Sequence, residues 1–137
     1  MDYQLRDLLQ NHGLRNTTAR QAVFKVFKSG PAITTKELSD QTADKLDTAS
    51  LYRTLTLFRD LGIIQDVVVG GSRKIELTDA FAPHHHHISC SKCGAATAIH
   101  NDGFEKQIEN LATSYGYIHS SHSFEITGIC PTCQLIK

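Results

Sequence analysis

Two cysteine pairs, Cys90-Ser91-Lys92-Cys93 and Cys130-Pro131-Thr132-Cys133, stand with 36 residues between them in a chain of 137. Each pair can present two sulfurs to one side of a tetrahedral ion, and two such pairs complete a four-sulfur zinc site. Gly94 follows the first pair and supplies the tight knuckle such ligands need. A redox-active CxxC is the alternative, but that chemistry usually stands alone at a helix start after a strand. Just upstream runs His84-His85-His86-His87. In an extended segment His84 and His86 point to one face and His85 and His87 to the other, so one segment can feed two metal sites. Glu76, His100, Glu105, His119 and His122 are available as supporting ligands. Neutral imidazole and carboxylate suit Zn(II), Fe(II), Mn(II), Co(II) or Ni(II). The plain alternative is a polar hinge that happens to be rich in histidine.

A second chemistry is carried by the segment from Ala49 to Leu61. Leu51, Leu55, Phe58 and Leu61 fall on one side of a helix, leaving Ser50, Tyr52, Arg53 and Thr56 facing outward. Small residues allow close approach to a duplex. Arg reaches a guanine edge or phosphate, and Tyr a phosphate or a thymine methyl. Arg15 and Arg20 fall near the start of an earlier helix, where they can hold the flanking DNA backbone. The competing reading is an ordinary amphipathic helix with a solvated polar face.

These side chains need elements to position them, and the chain up to residue 62 reads as helical. Leu5, Leu8 and Leu9 form a short apolar stripe. Thr17 or Thr18 caps a second helix bearing Ala19, Val23, Val26 and Phe27, which Gly30-Pro31 stops. Thr34 with Glu37 has the spacing of a capping box for a third helix around Leu38. Asp47 or Thr48 caps the fourth, which Gly62 terminates. The period then changes: Ile63-Ile64, Val67-Val68-Val69 and Lys74 to Leu77 are strand-like, with Gly70-Gly71 as the turn between them. Helices followed by a hairpin predict a winged helix-turn-helix over residues 1–77, and residues 78–83 read as a hinge. Residues 84–137 predict a small second domain, with strands around 87–91 and 95–99. A helix striped by Phe104, Ile108, Leu111 and Tyr115 follows, and then a strand near 122–129. The fold class is α+β. A domain of about 55 residues often needs a metal or a partner chain for stability.

Composition bounds the function. Hydrophobic residues make up 40% of the chain, enough to bury a core, and 14 basic groups balance 14 acidic ones. The balance hides an asymmetry: residues 1–77 hold 11 basic and 9 acidic groups, residues 78–137 hold 3 and 5. Arg15, Arg20, Lys25 and Lys28 occur in a stretch without an acidic group, a local basic face able to meet phosphate. No run is long and apolar enough to span a bilayer, and the start lacks the features of a secretory signal. A cytoplasmic protein with no membrane partner is expected, a setting that favours metal ligation by cysteine over disulfides.

In combination these segments resemble the ferric uptake regulator family of bacterial metal-sensing repressors, over nearly the whole chain. The segments that carry the resemblance begin with Gly13-Leu14-Arg15, Thr18-Ala19-Arg20 and Thr48 through Leu55. They continue with Leu61-Gly62-Ile63-Ile64, Ile75-Glu76-Leu77-Thr78 and, most specifically, His84 through Gly94 with Cys130 and Cys133. The resemblance implies a homodimer with an N-terminal winged helix and a C-terminal dimerisation domain, binding a palindromic double-stranded DNA operator when metal-loaded. Whether dimers pair into tetramers is left open. It carries Tyr52, Arg53 and Arg15 over as DNA-contacting positions, and Cys90, Cys93, Cys130 and Cys133 as a structural Zn2+ site. His84, His86, Glu105 and His122 match a site within the dimerisation domain, and Glu76, His85 and His87 match the sensing site. Many iron regulators have Asp where this chain has His86, and a His there also occurs in members resembling zinc regulators. Two departures fall on the sensing site. Ala32 stands where many members supply a histidine, and Ala98 where a carboxylate often follows the first CxxC. Its fourth ligand is therefore open, with Asp66 and His100 as reserves. Otherwise His12, His100 and His119 read as surface or packing residues.

The reading that follows is a metal-responsive transcriptional repressor, not an enzyme. Its structural ion is Zn2+ and its regulatory ion Zn2+ or Fe2+, with Mn2+ also admissible; the unbroken histidine run leans toward zinc. The alternatives are a peroxide sensor of the same family, in which bound Fe(II) oxidises a ligating histidine, and sensing by the His84, His86, Glu105 and His122 set instead. From other classes come a metal-dependent hydrolase using Glu105 or Glu76 as base, and a zinc-stabilised interaction module without DNA function. No nucleophile elbow, P-loop or HExxH motif supports the hydrolase.

Overall fold

The computed structural model describes residues 2–136 and divides into two compact units, Met1–Ala82 and Pro83–Lys137. The first opens with four helices: α1 (Tyr3–Asn11), α2 (Thr18–Ser29), α3 (Thr35–Thr42) and α4 (Thr48–Asp60). Each begins where a side chain satisfies an amide that the first helical turn leaves without a partner. Asp2 accepts from Gln4 and Leu5, Thr17 from Arg20, Thr34 from Glu37, and Asp47 from Ser50. Strands β1 (Ile64–Val69) and β2 (Ser72–Leu77) pair antiparallel, from Ile64 opposite Leu77 to Val69 opposite Ser72. The tight turn between them needs positive φ at both Gly70 and Gly71, 61° and 77°, which residues with a Cβ resist. Ile33 adds a bridge to Ile75 at the open edge of β2.

The apolar stripes close on one core. Leu5, Leu9, Val23, Phe24, Phe27, Leu38, Leu51, Leu55 and Phe58 from the helices meet Ile33, Ile63, Ile64, Ile75 and Leu77. This is the winged-helix arrangement, and α2 packs against both α3 and α4. The segment read as a hinge starts with residues fastened to this unit. The Thr78 amide donates to Ile63 O and its hydroxyl to Gly62 O, and Phe81 meets Phe24 edge-on.

The second unit has β3 (His86–Cys90) at the centre of a three-stranded sheet, flanked by β4 (Ala96–Ile99) and β5 (Glu125–Gly128). β4 runs antiparallel to β3 and β5 parallel to it. Helix α5 (Asp102–Ser114) connects them, capped by Asn101, and α6 (Pro131–Gln134) is a single turn that the sequence reading did not anticipate. Two other expectations change. The last strand is only Glu125–Gly128, because the preceding residues through Phe124 leave the sheet to deliver His119, His122 and Phe124 to the histidine cluster. The apolar stripe of α5 exists, but no residue of that helix is fully buried within the chain.

Candidate metal centres and DNA-facing helix

Four sulfurs converge at one end of the second unit. Cys90 ends β3, Cys93 lies in the turn after it, and Cys130 and Cys133 open and line α6. The turn is held by the Gly94 amide donating to Cys90 O, and Gly94 takes φ +76° to make it. All four ligand atoms lie within 4.8 Å of one another, and none of the cysteines is in a disulfide. The Sγ atoms of Cys93 and Cys130 are 3.8 Å apart. Two sulfurs on a tetrahedral zinc with Zn–S of about 2.3 Å stand about 3.8 Å apart. The donor set fits zinc in type, number and spacing.

The thiols are unequal before any ion arrives. Cys90 Sγ accepts from the backbone amides of Cys130 at 3.4 Å, Cys93 at 3.5 Å and Lys92 at 3.4 Å. Those amides stabilise a thiolate and pull the Cys90 thiol down to about 6, against the opposing effect of burial. Cys133 is pushed up to about 12, first by its hydrogen bond with Cys130, then by burial and by the other neighbouring thiols. Cys90 is thus a preformed anionic ligand, whereas Cys133 must give up a proton to an incoming metal.

A second cluster forms around β3 and α5. His86 is buried on β3, Glu105 stands in the first turn of α5, and His84 and His122 come from irregular segments. His86 Nε2 lies 2.5 Å from Glu105 Oε1 and His122 Nε2 2.6 Å from Glu105 Oε2. The Nε2 of His84 lies 3.3 Å from that of His122, and the Nε2 of His122 lies 3.1 Å from that of His86. Three imidazole nitrogens and one carboxylate therefore converge within 4.8 Å, a set suited to a divalent ion. Burial opposes ionisation of Glu105. The hydrogen bond from His86 and the fields of His122, His86 and His84 outweigh it and hold the carboxyl below its ordinary value.

Two further residues support this cluster: His119, which the sequence offers as a supporting ligand but more readily as a surface or packing residue, and Phe124, which the sequence does not single out. The His119 Nε2 is 2.8 Å from the Nδ1 of His122, fixing which ring nitrogen of His122 faces the cluster. Phe124 stacks on His86, with ring centroids 3.9 Å apart and planes at 23°. The His119-x-x-His122 spacing was visible, yet in an irregular segment it implies no shared face. His12 lies at the surface, its Nδ1 2.9 Å from Leu8 O.

On the opposite face of the histidine segment, the rings of His85 and His87 stand 4.8 Å apart. Glu76 lies on β2 of the first unit, where Gln65 donates to its carboxylate at 3.3 Å. Asp66, one of the reserves for a missing ligand, accepts two hydrogen bonds from Arg59, each of 3.0 Å.

In the first unit α4 presents the expected polar face. Leu51, Leu55 and Phe58 are buried, Tyr52, Arg53 and Thr56 are exposed, and Ser50 is half-buried and accepts from Arg53 Nη2 at 3.1 Å. Arg15 lies exposed in the segment before α2, and its carbonyl accepts from Arg20 Nη1. No helix among the described residues is long and apolar enough to cross a membrane.

Residues 11–127 match the model of the ferric uptake regulator family. The chain belongs to that family. Among its relatives is the peroxide-responsive repressor PerR of Staphylococcus saprophyticus, 29% identical over 98% of this chain and 94% of the relative. The ferric uptake regulator Fur of Helicobacter pylori, whose structure reveals three functional metal binding sites, superposes with a TM-score of 0.76. It is 25% identical, covering 96% of this chain and 89% of that one. The Vibrio cholerae ferric uptake regulator, whose crystal structure reveals structural rearrangement of the DNA-binding domains, gives a TM-score of 0.69 at 27% identity over 92% of this chain and 99% of that one. Family membership thus rests on the whole chain rather than on one motif.

Proposed function

We propose that this member of the ferric uptake regulator family is a metal-responsive repressor that binds operator DNA as a homodimer. The observation that carries the reading is the pairing of an intact His84, His86, Glu105 and His122 ligand set with an exposed Tyr52–Arg53 face on α4 in the other unit. Cys90, Cys93, Cys130 and Cys133 would hold a structural zinc that staples a unit too small to rely on its apolar core alone. Glu76, His85 and His87 are taken as regulatory ligands on the strength of the sequence pattern. Because Glu76 belongs to the first unit and the histidines to the second, ligating one ion with all three would restrict the motion of one unit against the other. On DNA, Tyr52, Arg53, Ser50 and Thr56 would face the major groove, and Arg15 and Arg20 the phosphates. The homodimer reading is supported by apolar side chains the chain does not cover itself, among them Ile118 at 96% exposure, Leu135 at 85% and Tyr115 at 76%.

An effector of this kind must bind the DNA-competent arrangement better than the incompetent one. Coupling energies of this sort are about 1–3 kcal/mol, a factor of roughly 5–150 in operator affinity. The test is fluorescence anisotropy of a labelled fragment of the protein's own promoter. Chelator-treated protein is titrated first, and Zn(II), Mn(II) and anaerobic Fe(II) are then added back separately. Weak binding after chelation, restored by one ion at the lowest free concentration, is the expected result and names the sensed metal. Equal binding with and without chelator overturns the reading. The similarity to a peroxide-responsive repressor favours one second reading, in which iron-loaded protein loses DNA binding after peroxide. Zinc-loaded protein treated in parallel would then keep it.

A further inference from the structure

We propose that His100 joins His85 and His87 as a third imidazole ligand, making the regulatory site rich in nitrogen and selective for zinc over manganese or iron(II). The inference rests on the regulatory reading of His85 and His87 and adds to it a ligand and a metal class. Three observations within the second unit support it. The antiparallel register of β3 and β4 places His86 opposite Ile99 and His87 opposite Ala98, so one step further out His85 faces His100 across the strand ends. The rings of His85 and His100 are 5.7 Å apart, beside 4.8 Å for His85 and His87. Two imidazoles on a tetrahedral ion, each metal–nitrogen bond about 2.0–2.1 Å, place their ring centres about 5 Å apart. The neighbouring four-ligand cluster shows that spacing directly, with centroids 4.7, 4.9 and 5.1 Å apart among His84, His86 and His122. His100 is exposed at the end of β4.

The tautomer of His85 agrees. Its Nδ1 is 3.0 Å from Pro83 O, a contact that requires Nδ1 to carry the proton and leaves the lone pair on Nε2. A backbone carbonyl holding the far nitrogen is the usual support of a ligating histidine. The other reserve ligand, Asp66, is already committed to both nitrogens of the Arg59 fork. Ala98 offers no donor where β4 faces His87, so His100 is the imidazole this edge supplies. Borderline-soft imidazole favours Zn(II), whereas carboxylate-rich sets accommodate Mn(II) and Fe(II) more readily.

The experiment uses full-length protein with its cysteine-bound zinc retained and its histidines labelled with 15N. Two-bond imidazole 1H–15N spectra are recorded while Zn(II) is added. The expected result is that a His100 ring nitrogen moves to a metal-bound shift at the same equivalents as His85 and His87. His100→Ala, a change at an exposed position, should then weaken zinc binding there at least about tenfold, read by competition with a chromophoric chelator. Mn(II) binding should change far less. If His85 and His87 move and His100 does not, the inference is overturned and the regulatory site stands with its other ligands. If none of the three moves, both fall together.

Discussion

Cys90 and Cys133 occupy opposite ends of the thiol range within one ligand set, and that inequality has a measurable consequence. Above about 6 Cys90 is already a thiolate, while Cys133, pushed up to about 12, stays protonated through neutrality. Zinc loading near pH 7.5 therefore draws a proton from Cys133 and none from Cys90. Proton release per zinc is expected to rise by nearly one as pH is lowered through about 6, and calorimetry in buffers of different ionisation enthalpy reads that change. Glu105 has its own pH dependence. A carboxyl held below its ordinary value stabilises the fold fully above the ordinary carboxylate range, and that contribution is lost as pH falls through the lowered value. With the cysteine-bound zinc retained and the histidine clusters free of metal, Glu105→Gln is expected to flatten this acid limb of the stability curve, measured by urea unfolding across pH. At the DNA-facing residues, Arg53→Ala should weaken operator binding by about 1–3 kcal/mol if it reads a base edge. Arg15→Ala should instead lower the salt dependence of binding uniformly across sequences.

Helix caps and the hairpin turn set the larger geometry from very few side chains. Thr17 and Thr34 each accept from the amide three residues on, at 3.2 and 3.1 Å. Replacing either with Ala is expected to cost about 1 kcal/mol of stability, read as a lower urea midpoint without a change in slope. Such local chemistry is why the winged helix was legible in sequence: caps, stripes and the Gly70-Gly71 turn are decided within a few residues of one another. The cysteine site was legible for a related reason, since tetrahedral thiolate binding leaves its spacing written in the chain. Less could be read where distant segments meet. His119 and Phe124 support the histidine cluster through contacts that no periodicity announces, because residues 116–124 follow neither helical nor strand repeat. The α5 stripe was read correctly as apolar, but apolar character alone does not say whether its cover comes from the same chain. The single-turn α6 is too short to generate a pattern; Pro131 at its first position is the one local sign.

For the molecule as a whole, the apolar surface is unevenly shared. The helical unit buries its stripes on a single core, while Ile88 and Ile126 face each other across β3 and β5 and remain exposed. If that sheet face serves the proposed homodimer, Ile126→Asp is expected to shift the protein to monomer in sedimentation velocity and to weaken operator binding through loss of the second half-site. Zinc content measured in parallel should be unchanged, separating lost association from an unfolded domain. A last consequence follows from the central strand. Between His84 and Cys90 the chain contributes to three separate ligand groups, and the alternation of the backbone decides which histidine serves which. Gaining or losing one residue within that stretch would turn the histidines on one side of the change to the opposite face and take them out of their groups. Lineages can therefore exchange the residue type at such positions but not their number.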